Sequence, residues 1–172
     1  MCIRDRLFIF LISVGQIFSQ TTYTSATDGS WSSQFSWSPN GVPGAGDTAI
    51  IVHNITVSGV QECAILDVNF AFGKKLSISG SGASLTVSGI TTNDGEILVT
   101  GGSAANPATL TLNGDLTNND SFTVNAGQRL IMGTNASVTA DAAITIKSDS
   151  DSHGSFYFYN GTWTPTSNSG VI

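Results

Sequence analysis

Charged side chains are scarce in this chain of 172 residues, in which Asp, Glu, Lys and Arg together make up 10%. Basic residues are the rarer kind, because 6 Lys and Arg stand against 12 Asp and Glu, and the formal net charge is −6 at pH 7. Binding of nucleic-acid phosphates or anionic membranes requires clustered Lys and Arg. We therefore expect neither a nucleic-acid partner nor an anionic membrane surface.

Cysteine is almost absent, with only Cys2 and Cys63 in the whole chain. Cys2 lies in an N-terminal leader, so no disulfide framework is available and the fold must be stabilised by packing. A lone Cys63 is compatible with a reactive thiol, an intermolecular link or a small buried hydrophobe. The alternation around "ECAILDV" leaves its burial open.

Helical patterning is missing as well, because no stretch keeps apolar residues at i, i+3, i+4 and i+7. The chain has 19 Gly and only 4 Pro, and its Ser, Thr and Asn residues alternate with Val, Ile and Leu in short runs. This composition is typical of an all-β protein with many short strands. The length corresponds to about one domain.

The N-terminal residues 1–19 are expected to be a signal peptide. The apolar run Leu7–Gly15 has the length of an h-region and is too short to span a bilayer. Ile17 and Ser19 fit a cleavage site that leaves Gln20 as the mature N-terminus. "MCIRDR" matches the translation of a sequencing-library adapter, and we favour that artefact over a true n-region, where an acid and a cysteine are unusual. No later segment has the length of a transmembrane helix, so we expect an extracellular or cell-surface protein without a transmembrane segment.

One segment of the chain is repeated without a gap. "ASLTVSGITTNDGEILVTGG" begins at Ala83, and "ATLTLNGDLTNNDSFTVNAG" begins 25 residues later at Ala108. Within each copy the apolar residues are two apart, which is the period of a strand. A repeat of this length is one supersecondary unit that buries its apolar face only when copies stack.

Stacked copies predict a right-handed parallel β-helix, or β-solenoid, over residues 47–172, with coils about 4.8 Å apart. The predicted columns are Leu85 on Leu110, Ile97 on Phe122, and Asn93 on Asn118. The two Asn residues are interpreted as a structural ladder at a turn rather than as an active site. The alternative fold is a β-sandwich, which the gapless repeat disfavours.

Residues 20–46 are expected to cap the first coil, because the end of a solenoid exposes unpaired strand edges. Trp31, Phe35 and Trp37 offer a large apolar surface for this purpose. The alternative interpretation of Trp31 and Trp37 is a platform on which sugar rings stack.

The N-terminal segment also carries a family resemblance. The order Trp31, Trp37, Pro43, Gly46 and Asp47, followed by an Ile/Val strand, resembles the opening of exported bacterial β-helix proteins and of the domain named for its eight conserved glycines. The runs "GASLTVSG", "GDLTNNDSFTVNAG" and "ITIKSDSDSHGSFYF" are similar to surface proteins exported through type IX secretion. The resemblance implies further domains of the same chain, and the end at "SNSGVI" without a sorting domain is expected to be a truncation.

Catalytic and metal-binding patterns are weak. Asp94, Asp115 and Asp120 lie at predicted turns, but no Lys or Arg falls in the matching columns, as a polysaccharide-active enzyme would need. "DSDSHG" opens like a calcium loop and lacks its downstream Glu. His53 and His153 have no partner at zinc-ligand spacing. We expect no enzyme, no cofactor and no metal.

The remaining candidates for binding are aromatic. In "SFYFYNGTW", alternation places Phe156 and Phe158 on one face and Tyr157 and Tyr159 on the other, with Trp163 following. Outward rings can stack on sugars, or they can cover the next coil or an adjoining domain. The sequence therefore predicts a structural or adhesive solenoid module, with extracellular glycans or surface proteins as partners. The alternatives are a carbohydrate-binding module using Tyr157, Tyr159, Trp163, Trp31 and Trp37, and a polysaccharide-active enzyme.

Overall fold

The chain folds into an all-β solenoid of about five turns. The computed structural model describes residues 19–69, 74–134, 136–148, 154–158 and 163–165. Apart from one short 3-10 helix, Gln34–Ser36, every regular element in these residues is a strand. Strands of successive coils pair in parallel, which confirms the predicted parallel β-helix and excludes the β-sandwich.

Three sheets run along the solenoid and take their strands in turn from each coil. The first sheet contains β1 (Thr22–Ser25), β3 (Trp37–Ser38), β4 (Thr48–Ile51), β7 (Ile65–Val68), β10 (Thr91–Asn93), β13 (Leu116–Asn118), β16 (Val138–Ala140) and β19 (Trp163–Pro165). The second contains β2 (Gly29–Ser30), β5 (Ile55–Val57), β8 (Lys75–Ser79), β11 (Glu96–Thr100), β14 (Phe122–Val124) and β17 (Ile144–Ile146). The third contains β6 (Val60–Cys63), β9 (Ser84–Val87), β12 (Thr109–Leu112), β15 (Arg129–Met132) and β18 (Ser155–Phe158).

The core is built from columns of inward side chains, as the repeat predicts. Leu85 pairs with Leu110 and continues to Leu130 in the third sheet, while Ile97 pairs with Phe122 in the second. All five side chains are fully buried. Each coil thus buries its apolar face on the next, about 4.8 Å away.

The predicted Asn ladder is present and wholly buried. The Asn93 side chain donates from Nδ2 to Asn118 Oδ1 at 2.7 Å and to the Ser121 carbonyl at 3.1 Å, and its Oδ1 accepts from the Gly95 N–H at 3.3 Å. Asn118 Nδ2 in turn donates to the Ala142 carbonyl at 3.0 Å. These bonds satisfy polar groups at the turn between the first and second sheets, which supports a structural role.

The N-terminal end is covered by two indole rings. Trp31 and Trp37 are 0% and 1% exposed, and their ring centroids lie 5.0 Å apart in a T-shaped arrangement. Trp37 Nε1 donates to the Trp31 carbonyl at 2.8 Å, and β3 pairs antiparallel with the edge of β1. Phe35, expected to contribute to this cover, is instead 70% exposed. It lies in the 3-10 helix, where adjacent side chains point in different directions and Ser36 takes the buried position.

Cys63 is buried at the end of β6, which resolves the question left by its sequence. The alternation restarts at the corner residue Ala64, so the inward residues of β7 are Leu66 and Val68, and Asp67 faces outward. Burial raises the pKa of the Cys63 thiol to about 12, assisted by nearby acidic side chains. The thiol is therefore part of the core.

Candidate functional site

The outer face of the third sheet is the surface on which a predicted binding residue is exposed. We define the third-sheet face by the outward side chains of β9, β12, β15 and β18. These are Ser84, Thr86, Thr109, Thr111, Arg129, Ile131, Ser155 and Tyr157. Tyr157 is 41% exposed, Arg129 is also exposed, and the other six side chains are half-buried.

Strand alternation explains why these side chains point outward. In β15 Leu130 and Met132 are fully buried, which places Arg129 and Ile131 on the outer side. In β18 the Phe156 side chain packs against the core. The neighbouring Tyr157 therefore faces solvent.

The register brings the outward residues of β15 and β18 together. Arg129 lies opposite Ser155, and Ile131 lies opposite Tyr157. On its other side Arg129 lies opposite Thr109. The face thus combines a guanidinium, a phenol ring, an aliphatic side chain and hydroxyl groups within two coils.

The described residues place Trp31, Trp37 and the backbone of Trp163 away from this face. Trp163 begins β19 and pairs with Val138, which places its backbone in the first sheet. Tyr159 lies outside the described residues. Trp31 and Trp37 are buried at the N-terminal end, where neither ring has a face open to a sugar. The structure therefore corrects the sugar-platform interpretation of these two residues, because their rings are needed inside the cap.

Asp94 accepts a hydrogen bond from an amide side chain of the next coil, and its negative charge also raises the pKa of a second carboxyl group. Asn119 Nδ2 donates to Asp94 Oδ1 at 2.6 Å. Asp67, outward on the preceding coil, has its pKa raised by partial burial and by the negative charge of Asp94. A raised carboxyl pKa is one feature of acid catalysts, but no Lys or Arg is hydrogen-bonded to either group within the described chain.

The other two predicted carboxylates accept hydrogen bonds at turns, Asp115 from the turn of the next coil and Asp120 from its own turn. Asp115 Oδ1 accepts from the Ser137 hydroxyl at 2.7 Å and from its N–H at 2.8 Å, and these hydrogen bonds lower the pKa of Asp115. Asp120 Oδ1 accepts from the N–H of Ser121 at 2.7 Å. Both arrangements are typical of carboxylates that stabilise turns.

Comparisons with protein-family models, with curated proteins and with solved structures found no match for this chain. The function must therefore be argued from the geometry of its own residues.

Metal-ligand groups do not converge in the part of the chain that the structure describes, where no three His, Cys, Asp or Glu side chains come together. His53 Nδ1 lies 2.7 Å from the Ser25 carbonyl, and the Ser25 hydroxyl accepts from the N–H groups of Val52 and His53. Residues 149–153 of the "DSDSHG" segment lie outside the described residues.

The described segments contain no helix with the length and apolarity needed to cross a membrane.

Arg129 was not predicted as a binding residue. The signal in the sequence is "QRLIM", where alternation exposes an Arg two residues before an Ile. Its significance depends on register, because only the pairing of β15 with β18 shows that Arg129 and Tyr157 share one face.

Proposed function

We propose that this chain is a structural and adhesive module of a secreted or cell-surface protein, without a catalytic role of its own. The observation that supports this proposal is the regular spacing of hydroxyl side chains on the outer faces of the first and third sheets. Thr92, Thr117 and Thr139 follow one another in register along the first sheet, and β9 and β12 of the third sheet present paired hydroxyl residues. A surface that repeats about every 4.8 Å suits many weak contacts acting together.

Export is the second part of the proposal. Its support is the apolar run Leu7–Gly15 and the plausible cleavage site before Gln20, both in the sequence. The type IX route rests on the resemblance of the repeat segments alone. A solenoid stabilised by packing, with its one described thiol buried, is compatible with an extracellular environment.

Adhesion can be tested with the full chain coupled to beads. The beads are mixed with insoluble polysaccharides and with immobilised extracellular proteins, and retention under flow is compared with that of beads carrying the unfolded chain. We expect retention by at least one surface that depends on the folded state. Equal retention of both bead types on every surface would refute the adhesive role.

A separate assay tests the proposal that the chain does not cleave polysaccharides. The full chain is incubated with soluble polysaccharides, and reducing ends and unsaturated products are measured over time. We expect neither product to form. Product formation that disappears in Asp94→Asn or Asp67→Asn would instead establish the polysaccharide-active enzyme.

Export is tested by expressing the full gene and a deletion of Leu7–Gly15. We expect the complete chain outside the cytoplasm with Gln20 as its first residue, and the deletion variant inside. A complete chain that stays in the cytoplasm would contradict the proposed localisation.

A carbohydrate-binding module is the second candidate, and the observation that favours it is Tyr157. Its exposed ring lies beside Ile131 on the third-sheet face, and such a ring presents apolar area with a polar edge to a sugar.

A further inference from the structure

We propose that the third-sheet face binds polysaccharides that carry carboxylate groups, with Arg129 pairing with a uronate carboxylate and Tyr157 stacking on a sugar ring. The inference rests on the proposed adhesive function and names the ligand class of that function.

Among the residues that the structure describes, Arg129 has no acidic residue opposite it on either neighbouring strand. Lys74 Nζ lies 3.8 Å from Asp28 Oδ1, and Lys75 lies directly opposite Glu96 in the second sheet. Arg129 lies between Thr109 and Ser155 instead. An exposed guanidinium whose cross-strand neighbours are hydroxyl residues is available to an external anion.

Guanidinium chemistry favours a carboxylate as that anion. The planar fork of Arg donates two parallel hydrogen bonds to a carboxylate, and these bonds are about twice as strong as neutral ones. The nearest described acid on the outer side of the third sheet is Glu62 of β6, which lies beyond the third-sheet face, three strands and two residues from Arg129 and therefore about 16 Å away. That separation exceeds the Debye length of about 8 Å at physiological salt, so Glu62 does not compensate Arg129.

The position of Tyr157 near Arg129 provides a ring on which a sugar can stack while its carboxylate pairs with the arginine. Arg129 lies opposite Ser155, and Tyr157 is two residues beyond Ser155 on β18, so Arg129 and Tyr157 are diagonal neighbours about 8 Å apart at their backbones. Both are exposed, and the outward Ile131 lies opposite Tyr157 on the neighbouring strand, where it adds apolar area. One sugar ring can therefore lie on Tyr157 while the carboxylate of the same or the next residue reaches Arg129.

The hydroxyl residues extend the site along the solenoid. Thr109 and Thr111 lie one coil from Arg129, and Ser84 and Thr86 lie one coil further. Their hydroxyl groups can donate to and accept from sugar hydroxyls at each step of about 4.8 Å. A linear polymer running along the axis would contact all of these coils, whereas a free monosaccharide would contact one.

The test uses the full chain and polygalacturonate as the probe, with fully methyl-esterified polygalacturonate as the matched neutral polymer. Binding is measured by affinity electrophoresis and by titration calorimetry at 0.15 M salt. We compare Arg129→Gln, Arg129→Lys and Tyr157→Ala with the control Lys75→Gln, which removes the same charge from a different sheet. Circular dichroism verifies the fold of each variant, and the chosen side chains are outside the core.

We expect Arg129→Gln and Tyr157→Ala each to weaken binding by about tenfold or more, and Arg129→Lys to recover only part of the affinity because it lacks the planar fork. Lys75→Gln should change the affinity by less than about twofold. Esterification of the polymer should weaken binding as much as Arg129→Gln does.

Three results would overturn the inference: equal losses in Arg129→Gln and Lys75→Gln, unchanged binding by Tyr157→Ala, or equal binding of the acidic and esterified polymers. Failure of the unmodified chain to bind polygalacturonate would also overturn it. Folded-state retention of the beads on another surface would then leave the adhesive function standing, so the two failures are distinguishable.

Discussion

Thr91 has a buried hydroxyl for which the described residues offer no hydrogen-bond partner, and replacing Thr91 with Val should stabilise the solenoid. The side chain is 0% exposed and points into the core from β10, between Leu66 and Leu116 of the adjacent coils. Its Oγ1 has no partner in the part of the chain that the structure describes. In the unfolded chain the same hydroxyl is hydrated, so folding removes a hydrogen bond to water for which the described residues provide no replacement.

The expected size of the effect follows from that loss. A buried polar group left unsatisfied costs about 1–3 kcal/mol. Val has the same branched shape and leaves no cavity, and it replaces the hydroxyl with a methyl group among apolar neighbours. Thr91→Val should therefore raise the free energy of unfolding by about 1–2 kcal/mol, which corresponds to roughly 3–6 °C in Tm for a chain of this size.

The matched control is Thr92→Val on the same strand. Thr92 faces outward and is half-buried, so the change from Thr to Val is identical while the loss of the buried hydroxyl is absent. We expect Thr92→Val to alter stability by less than about 0.5 kcal/mol in urea unfolding. Destabilisation by Thr91→Val, or an equal effect of the two variants, would refute the assignment of an unsatisfied hydroxyl.

Three further predictions concern the stacked corners and the core. Gly114→Ala should lower the free energy of unfolding by about 2 kcal/mol or more, because the added Cβ would overlap the backbone carbonyl of Gly89 on the preceding coil. Gly46→Ala, which has nothing within 4 Å of the added carbon, should change it by less than about 0.5 kcal/mol, and equal losses would contradict the stacking. Asn93→Ala should cost about 2–4 kcal/mol in urea unfolding, because it leaves buried amide groups unpaired, and unchanged stability would contradict the ladder. Because burial raises the pKa of Cys63 from 9.0 to about 12, a thiol reagent at pH 8 should label it only upon unfolding. The folded-state pKa is the higher one, so stability present below pH 9 should be lost as pH rises towards 12, and Cys63→Ala should abolish this loss.

The columns of the repeated coils could be predicted because one shift of 25 residues fixes every pair at once. Leu85 on Leu110 and Asn93 on Asn118 follow from the same alignment, and both pairs are present. The alternation of apolar residues then determines which side of each strand faces the core. Where the sequence repeats without a gap, one alignment therefore predicts both which strand residues pair and which side chains are buried.

The first coil could not be predicted in this way. Thr22–Ser25 pairs in parallel with Thr48–Ile51, and Gly29–Ser30 pairs with the strand that begins at Ile55. The segments "TYTS" and "GS" have no apolar alternation that would reveal these strands. They form because the strands of the second coil have unpaired edges with which these segments can hydrogen-bond. This cause lies in the tertiary structure and leaves no signal in the local sequence.

The loop between β11 and β12 is a second case of long-range dependence. Gln128 is 3% exposed, and its Oε1 accepts from the N–H groups of Gly102 and Ala108 at 3.1 and 2.8 Å. Its Nε2 donates to the carbonyls of Gly102 and Ala126. One amide side chain therefore holds a loop that precedes it by 20 to 26 residues, and nothing in its local sequence distinguishes it from a solvated Gln.

The candidate site was predictable only in part, for a physical reason. The outward face of a strand requires a residue with β propensity and some polarity, and Thr meets that requirement at Thr92, Thr117 and Thr139 without implying a ligand. Arg129 departs from this pattern whereas Tyr157 satisfies it, and neither side chain is needed for the core. An unusual outward residue can be interpreted only together with the residues around it, and the pairing of β15 with β18 determines which residues surround Arg129. Packing explains the inward columns, and β propensity explains the threonines and Tyr157, which leaves the exposed Arg129 without such an explanation. The proposed binding of an anionic sugar polymer supplies one and uses the neighbouring Tyr157 as well.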